Sequence, residues 1–384
     1  MNVKDKVLQK IDEKQQSILE TYYFLYEHPE TSLEEFESAK KLAAVLKQEG
    51  FAVEENLKGM ATAFQAVKKN GQGPKIAIIA EYDALSEIGH ACGHHMIAAM
   101  SVGAAIGLSA ALSDFAGEIA VIGTPAEETG HGKPYLVEQG VFDHYDMAMM
   151  IHPGSITDVY IEAIAIGGID FTFEGVASHA GAAPEHGVNA LDAVVLFYNG
   201  ISVLRQQLKD GTRIHGIIME AGTAANIIPD KGRIRLEFRA KEQDYFQEVI
   251  EKVIKCAEGA ALATGCRCTY THFEPTCMGL KHSRTLGSIF TKHMEEMGFA
   301  QVADEDKMSA ISTDLGNVSH IIPTIHPILK VCENRYELHS KEFKEATMLP
   351  YAQNALMQGA KLLALTGLEI LENPKLLEEA KKEF

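Results

Sequence analysis

Positive charge is scarce in this chain. Against 53 aspartates and glutamates stand 35 lysines and arginines, a formal net charge of -18, with no basic stripe of the kind that follows a phosphate backbone, which argues against a nucleic-acid partner. No uninterrupted apolar run approaches the roughly 18 to 20 residues that a bilayer crossing needs. The opening Met1-Asn2-Val3-Lys4-Asp5-Lys6-Val7 lacks an apolar core followed by a small-residue cleavage site, so no secretory signal is read there. The expectation is a cytoplasmic protein with no membrane partner. Six cysteines in 384 residues fit reduced thiols better than a disulfide framework. Cys266-Arg267-Cys268 with Cys277 lies in an alternating stretch without a paired histidine motif and reads as plain thiols, not a second metal cluster. Internal repeats, low-complexity tracts and a phosphate-cradling glycine loop are also missing. What is present is 46% hydrophobic residues, enough to bury a large core divided into about two domains. Small molecules are the expected partners.

Apolar residues at helical spacing, Val7, Ile11, Ile18, Leu19, Tyr22 and Leu25, predict one amphipathic helix over 3–27, closed by Pro29. Ser32-Leu33-Glu34-Glu35 has the form of a capping box, predicting a second helix to about Gly50. Strands are expected over 51–55 and 61–68, with a turn at Asn70-Gly71. Lys75 to Ala80 is a short continuous apolar run, the pattern of a strand buried on both faces, and it ends in Glu81-Tyr82-Asp83. An almost wholly apolar helix follows over 96–112. The apolar strands Ile119 to Gly123 and Met147 to Ile151 then open into Pro125-Ala126-Glu127-Glu128 and into His152-Pro153.

Between Asp83 and the apolar helix lies Gly89-His90-Ala91-Cys92-Gly93-His94-His95. Taken alone, Cys92 and His94 fit a metal site no better than a Gly-rich turn with an incidental buried thiol. Their setting favours metal. Three successive strands end in Asp83, in Glu127 with Glu128, and in His152, and the carboxyl edge of an open α/β sheet is where ligands bind. Acids and imidazoles converging there supply hard and borderline ligands together.

Near Ala165 the pattern changes to strand, helix, strand, strand, helix, strand, the order of a ferredoxin-like split βαβ layer. Past about Met278 the helices and apolar strands of the first part resume. The fold class is therefore α/β, a mostly parallel-sheet catalytic domain over 1–166 and 279–384, interrupted by an inserted α+β ferredoxin-like lid or dimerisation domain over 167–278. In the closing part, Ser312 to Ser319 reads as a loop, and His339, ahead of a long helix from about Ala346, reads locally as a surface or capping histidine.

Six segments occur in one order: Ala80-Glu81-Tyr82-Asp83-Ala84-Leu85, Gly89-His90-Ala91-Cys92-Gly93-His94, Pro125-Ala126-Glu127-Glu128, Ser178-His179-Ala180-Gly181-Ala182-Ala183-Pro184, Asn226-Ile227-Ile228-Pro229 and Ser312-Thr313-Asp314. Over essentially its whole length the chain resembles the dinuclear metallopeptidase family that contains carboxypeptidase G, aminoacylases and plant indoleacetyl-amino-acid hydrolases. Within it the resemblance is greatest to the subgroup with aminobenzoyl-glutamate hydrolase and β-alanyl dipeptidase-like proteins.

The resemblance implies two divalent metal ions, Zn, Mn or Co, held by Cys92, His94, Glu128, His152 and His339. It makes Glu127 the general base that serves a metal-activated water. It makes Asp83 the acid that in the wider family orients a ligand histidine two residues upstream; with Tyr82 in that place, Cys92 is needed to complete the site. His179 matches a histidine that reaches a neighbouring subunit's site and stabilises the oxyanion, which implies a homodimer through the inserted domain. Asn226 and Arg239 match the residues that hold the substrate's free carboxylate, a role suited to the planar arginine fork. Local alternatives are a loop histidine for His179 and a surface-paired edge-strand arginine for Arg239; His90 and His95 are read as supporting the ligands from behind or as exposed, not as ligands themselves. The implied activity is metal-dependent cleavage of the amide bond of N-acyl or aminoacyl amino acids with a free carboxylate. The competing readings are a catalytically silent binding protein for such conjugates and a redox protein using the Cys92 thiol.

Overall fold

The computed structural model describes residues 2–300 and 311–384. The apolar stripe at the start forms two helices, not one: α1 (Val3–Glu13) and α2 (Gln15–Glu27) part at Lys14, whose φ of -99° and ψ of 5° leave the helical region. Both halves keep their stripe buried, Val7 and Ile11 in α1, Ile18, Tyr22 and Leu25 in α2. The expected capping box does not form. Helix α3 (Phe36–Gln48) takes its cap from the Glu30 carboxylate, which accepts from the amides of Glu37 (3.0 Å) and Ser38 (2.8 Å); an anion suits two helix-start amides better than a hydroxyl. Ser32 and Glu35 are thereby free to serve the site. Strands β1 (Ala52–Glu55), β2 (Phe64–Asn70) and β3 (Lys75–Ala80) come next, then α4 (His94–Leu108), β4 (Gly117–Gly123), α5 (Gly132–Glu138), β5 (Met147–Met149) and β6 (His152–Gly154).

Residues Ala163–Gly279 form a compact unit of their own. Its elements are β7 (Ala165–Glu174), α6 (Ala190–Leu204), β8 (Arg213–Glu220), β9 (Lys231–Ala240), α7 (Gln243–Thr264) and β10 (Arg267–Cys277). The sheet order is β10-β7-β9-β8, antiparallel throughout, the ferredoxin-like arrangement. Phe171, Phe173, Phe197, Phe238 and Phe246 fill the core between sheet and helices. Edge strand β8 leaves Ile217, Ile218 and Met219 at 62%, 46% and 42% exposure.

The other unit, Met1–Glu162 with Leu280–Phe384, resumes with α8 (Arg284–Glu296), α9 (Leu315–Ser319), β11 (Thr324–Ile325), β12 (Ile328–Lys330), α10 (Lys341–Ala346), α11 (Pro350–Glu372) and α12 (Lys375–Lys381). Part of the segment expected as a loop is thus the short α9. The long helix expected from about Ala346 starts at Pro350, whose missing N–H suits a first helical turn, and it is two helices, α11 and α12, that part at Asn373-Pro374. Six strands run in the order β1-β2-β4-β3-β5-β11, with β4, β3, β5 and β11 mutually parallel. β6 and β12 pair in a separate parallel ribbon. Helix α4 is buried at all fifteen positions and packs on α11, α2, α1 and β3. Its extension His94–Ser113 is long and apolar enough to cross a membrane by length and composition, a feature that counting uninterrupted apolar runs does not reveal; 89% of its apolar window is buried within the protein, as befits a core helix.

Candidate metal centre

Because β3, β4 and β5 are adjacent and parallel, the turns that leave their carboxyl ends gather at one edge. The turn after β3 delivers Asp83, and α4 opens on His94. Gly93 joins them with φ +90°, where any Cβ would meet Pro153 Cγ at 2.5 Å, so only glycine lets Cys92 and His94 come against His152-Pro153. His94 Nδ1 lies 2.9 Å from Asp83 Oδ1 and 3.0 Å from the Asp83 carbonyl. Both are acceptors, so Nδ1 carries a proton and Nε2 is the ring nitrogen left to face an ion. Although burial opposes it, the neighbouring His94 holds the Asp83 carboxyl down at about 2.

His152 is set the same way. Its Nδ1 donates to the Pro153 carbonyl at 2.7 Å, leaving Nε2 turned to Cys92 Sγ at 3.5 Å. Burial pushes this ring down to about 4, which keeps it neutral and able to ligate. Burial also raises the Cys92 thiol, so a thiolate there needs a cation. His339 has a half-exposed side chain, as its local sequence suggests, yet its Nε2 lies 3.5 Å from Glu128 Oε1. Its φ of +61° and its amide bond to Ala91 O (3.0 Å) tie that loop to the cysteine turn.

Among the described residues three sets of ligand atoms lie within 4.8 Å of one another: Cys92, His94 and His152; Cys92, Glu128 and His339; His94, Glu127 and Glu128. Cys92 belongs to two of them, so one sulfur can serve two positions. His94 Nε2 and Glu128 Oε1 are buried without a hydrogen bond, a cost that ligation removes. Thiolate, imidazole and carboxylate together fit a borderline divalent ion.

Glu127 follows Ala126, a non-glycine residue at φ +60°. The Ala126 amide is held by Glu35 Oε1 at 2.8 Å, so the helix-start acid missed as a site residue shapes this turn. Glu127 Oε2 lies 3.6 Å from His94 Nε2; burial first, then Glu81, raise its carboxyl well above the usual range. The residue two before Asp83 is Glu81, not Tyr82. Tyr82 turns away to bond the Thr62 carbonyl at 2.5 Å, whereas Glu81 Oε2 comes within 3.8 Å of His94 Nε2.

His90 and His95 are fully buried, which excludes the exposed half of their reading, and neither belongs to a ligand set among the described residues. His95 stacks on Tyr22 at 5.1 Å and neighbours His90 and Tyr26, away from the ligand sets. In the inserted unit, His179 and Asn226 are exposed neighbours joined by the bridge His179↔Ile227 and the bond from the Ala180 amide to Asn226 O (3.0 Å). Arg239 lies on β9 opposite Ile166 and Arg213, 3.8 Å from Glu237. Cys266, Cys268 and Cys277 are not disulfide-bonded and belong to none of the ligand sets found among the described residues.

Residues 164–264 match the model of a peptidase dimerisation domain of the M20 family. The chain is 36% identical over 398 residues to the Xaa-Arg dipeptidase of Mus musculus, covering 100% of this chain and 92% of the mouse protein. It is 28% identical to a p-aminobenzoyl-glutamate hydrolase chain of Escherichia coli K12, covering 94% and 90%. A dinuclear metal-binding M20 peptidase from Bacillus subtilis superposes with a TM-score of 0.73 at 21% identity, covering 94% of this chain and 99% of the other. The fold, the interrupting dimerisation domain and the full-length similarity agree: the chain belongs to the M20 family of peptidases and amidohydrolases, enzymes that hydrolyse amide bonds.

Proposed function

We propose that this chain cleaves the amide bond of N-acyl or aminoacyl amino acids with a free carboxylate, using two divalent ions, Zn, Mn or Co. The observation that carries this reading is the sharing of Cys92 between two ligand sets with the Glu127 carboxylate beside them. Cys92, His94, Glu128, His152 and His339 hold the ions. When bound, they polarise the scissile carbonyl and acidify a water. Glu127 takes the proton of the attacking water and returns it to the leaving amine, a task that suits a buried carboxyl whose proton affinity is raised. Asp83 fixes His94 with Nε2 toward the ion. Arg239 and Asn226 receive the substrate carboxylate. The names of the mouse and E. coli relatives, a dipeptidase for C-terminal arginine and a hydrolase of p-aminobenzoyl-glutamate, both describe an amino acid acylated on nitrogen, which supports that substrate class. The exposed Ile217-Ile218-Met219 edge supports pairing of two copies through the inserted domain, with His179 serving the partner's oxyanion.

The test is Glu127→Gln. It should keep wild-type metal content and melting behaviour while turnover of N-acetyl amino acids, aminobenzoyl-glutamate and β-alanyl dipeptides is abolished. Retained turnover overturns the role of Glu127. Tight binding of these compounds by the wild type, with no hydrolysis in Zn, Mn or Co, establishes the silent binding protein instead.

A further inference from the structure

Behind His94 three charged side chains lie out of reach of solvent. Lys133 is 0% exposed, Asp314 0% and Glu81 1%. Lys133 enters at the start of α5 and its Nζ pairs with Glu81 Oε1 and Asp314 Oδ1, while its own amide donates to Asp314 Oδ2 at 3.0 Å. A buried ammonium is stable only when paired, and here both partners are carboxylates, Glu81 directly after β3 and Asp314 directly before α9.

The arrangement matters because two acids approach the same imidazole nitrogen. Glu81 Oε2 is 3.8 Å and Glu127 Oε2 3.6 Å from His94 Nε2. By distance alone either could share an ion with His94. They differ in what else they touch: Glu81 is engaged by Lys133, whereas no ion pair joins Lys133 to Glu127 among the described residues.

We propose that Lys133 is a positioning residue of this centre: by engaging Glu81 and Asp314 together, it keeps both carboxylates out of the ion-binding set and leaves Glu127 as the uncommitted acid beside His94. The part concerning Glu127 rests on the proposed hydrolytic function; the part concerning ion number does not. Without the ammonium, Glu81, Asp314 and Glu127 would be three carboxylates around one vacated charge, a set of hard ligands for a divalent cation.

Wild type, Lys133→Met and the double variant Lys133→Met with Glu81→Gln should be stripped with chelator, titrated with Mn and weighed by native mass spectrometry. Lys133→Met is expected to take up one more ion per chain than wild type, and the double variant to return to the wild-type number. Equal numbers in wild type and Lys133→Met overturn the proposal, as does an extra ion that persists in the double variant. Should Lys133→Met not fold, Asp314→Asn gives the second route. It releases Lys133 toward Glu127, so kcat should fall at least tenfold with KM and ion number unchanged; unchanged kcat overturns the proposal. If the chain hydrolyses nothing, the ion counts still decide Lys133, so the two failures are distinguishable.

Discussion

Asp83 joins two parts of the metal centre: one carboxylate oxygen accepts from His94 Nδ1 at 2.9 Å and the other from the Glu128 amide at 2.9 Å. Ser32 Oγ adds a third bond at 3.0 Å. A single buried side chain thus fixes the tautomer of one ligand and the backbone of another, and the consequences can be measured.

Asp83→Asn replaces an acceptor-only group with one that also donates, so His94 can reverse its tautomer and present N–H where a lone pair is needed. Metal affinity is expected to fall about 10- to 100-fold, the usual loss for a partner of a ligating histidine. Competitive titration against a chromogenic chelator reads it; unchanged affinity refutes the role.

Cys92→Ser removes the sulfur, which is common to two of the sets, as His94 and Glu128 also are. Both ions should weaken together by more than about 100-fold, because a serine hydroxyl does not ionise as a thiol does. Loss of only one ion per chain, counted after gel filtration, would show that the sulfur is not shared.

Glu35 gives a pH signature. Burial pushes its carboxyl up to about 7, against about 4.5 in an unfolded chain. The native state therefore holds a proton that the unfolded state has lost, so this stabilisation is full below about pH 4.5 and is lost as pH rises through about 7. Glu35→Gln keeps an acceptor for the Ala126 amide but cannot titrate. Relative to wild type, its unfolding free energy should rise between pH 5 and 8 by up to about 3 kcal/mol. Urea unfolding at the two pH values, at equal metal, measures it; a constant difference rules the shift out.

Arg239→Ala should raise KM for carboxylated substrates by about 10- to 100-fold, with a smaller change in kcat, the cost of one charge-assisted pair. An ester of the same substrate, lacking the carboxylate, should show no such rise.

Ile217→Asp places a charge in the exposed apolar edge of β8. If two copies pair there, light scattering should report monomers at concentrations where wild type is dimeric, with the circular dichroism preserved. A variant dimer as stable as wild type would place the interface elsewhere.

Much of the architecture was legible along the chain because its signals are local. Lys75 to Ala80 is an unbroken apolar run and is the central strand β3 to the residue. The alternation of Ile234, Leu236 and Phe238 with charged residues likewise marks β9, buried at every second position. Sequence placed the chemistry after successive parallel strands, and their common direction brings Asp83, His94, Glu127, Glu128 and His152 to one edge.

The features that were not legible depend on partners distant in sequence. Ser32 and Glu35 have the spacing of a capping box, yet Asp83 and Ala126, far along the chain, claim their side chains, because a buried amide or carboxylate without a partner costs more than an exposed helix start left to Glu30. His95, next to His94 and not read as a ligand, could not be placed from sequence; successive helical residues point about 100° apart, and that turn sends it against Tyr22. Lys133 has no local signal at all. The residue types, their order and the strands that carry them were determined by the sequence itself; which acid meets which imidazole, and which is neutralised by a buried lysine, was decided only when the folded chain excluded water and left each charge to find its partner.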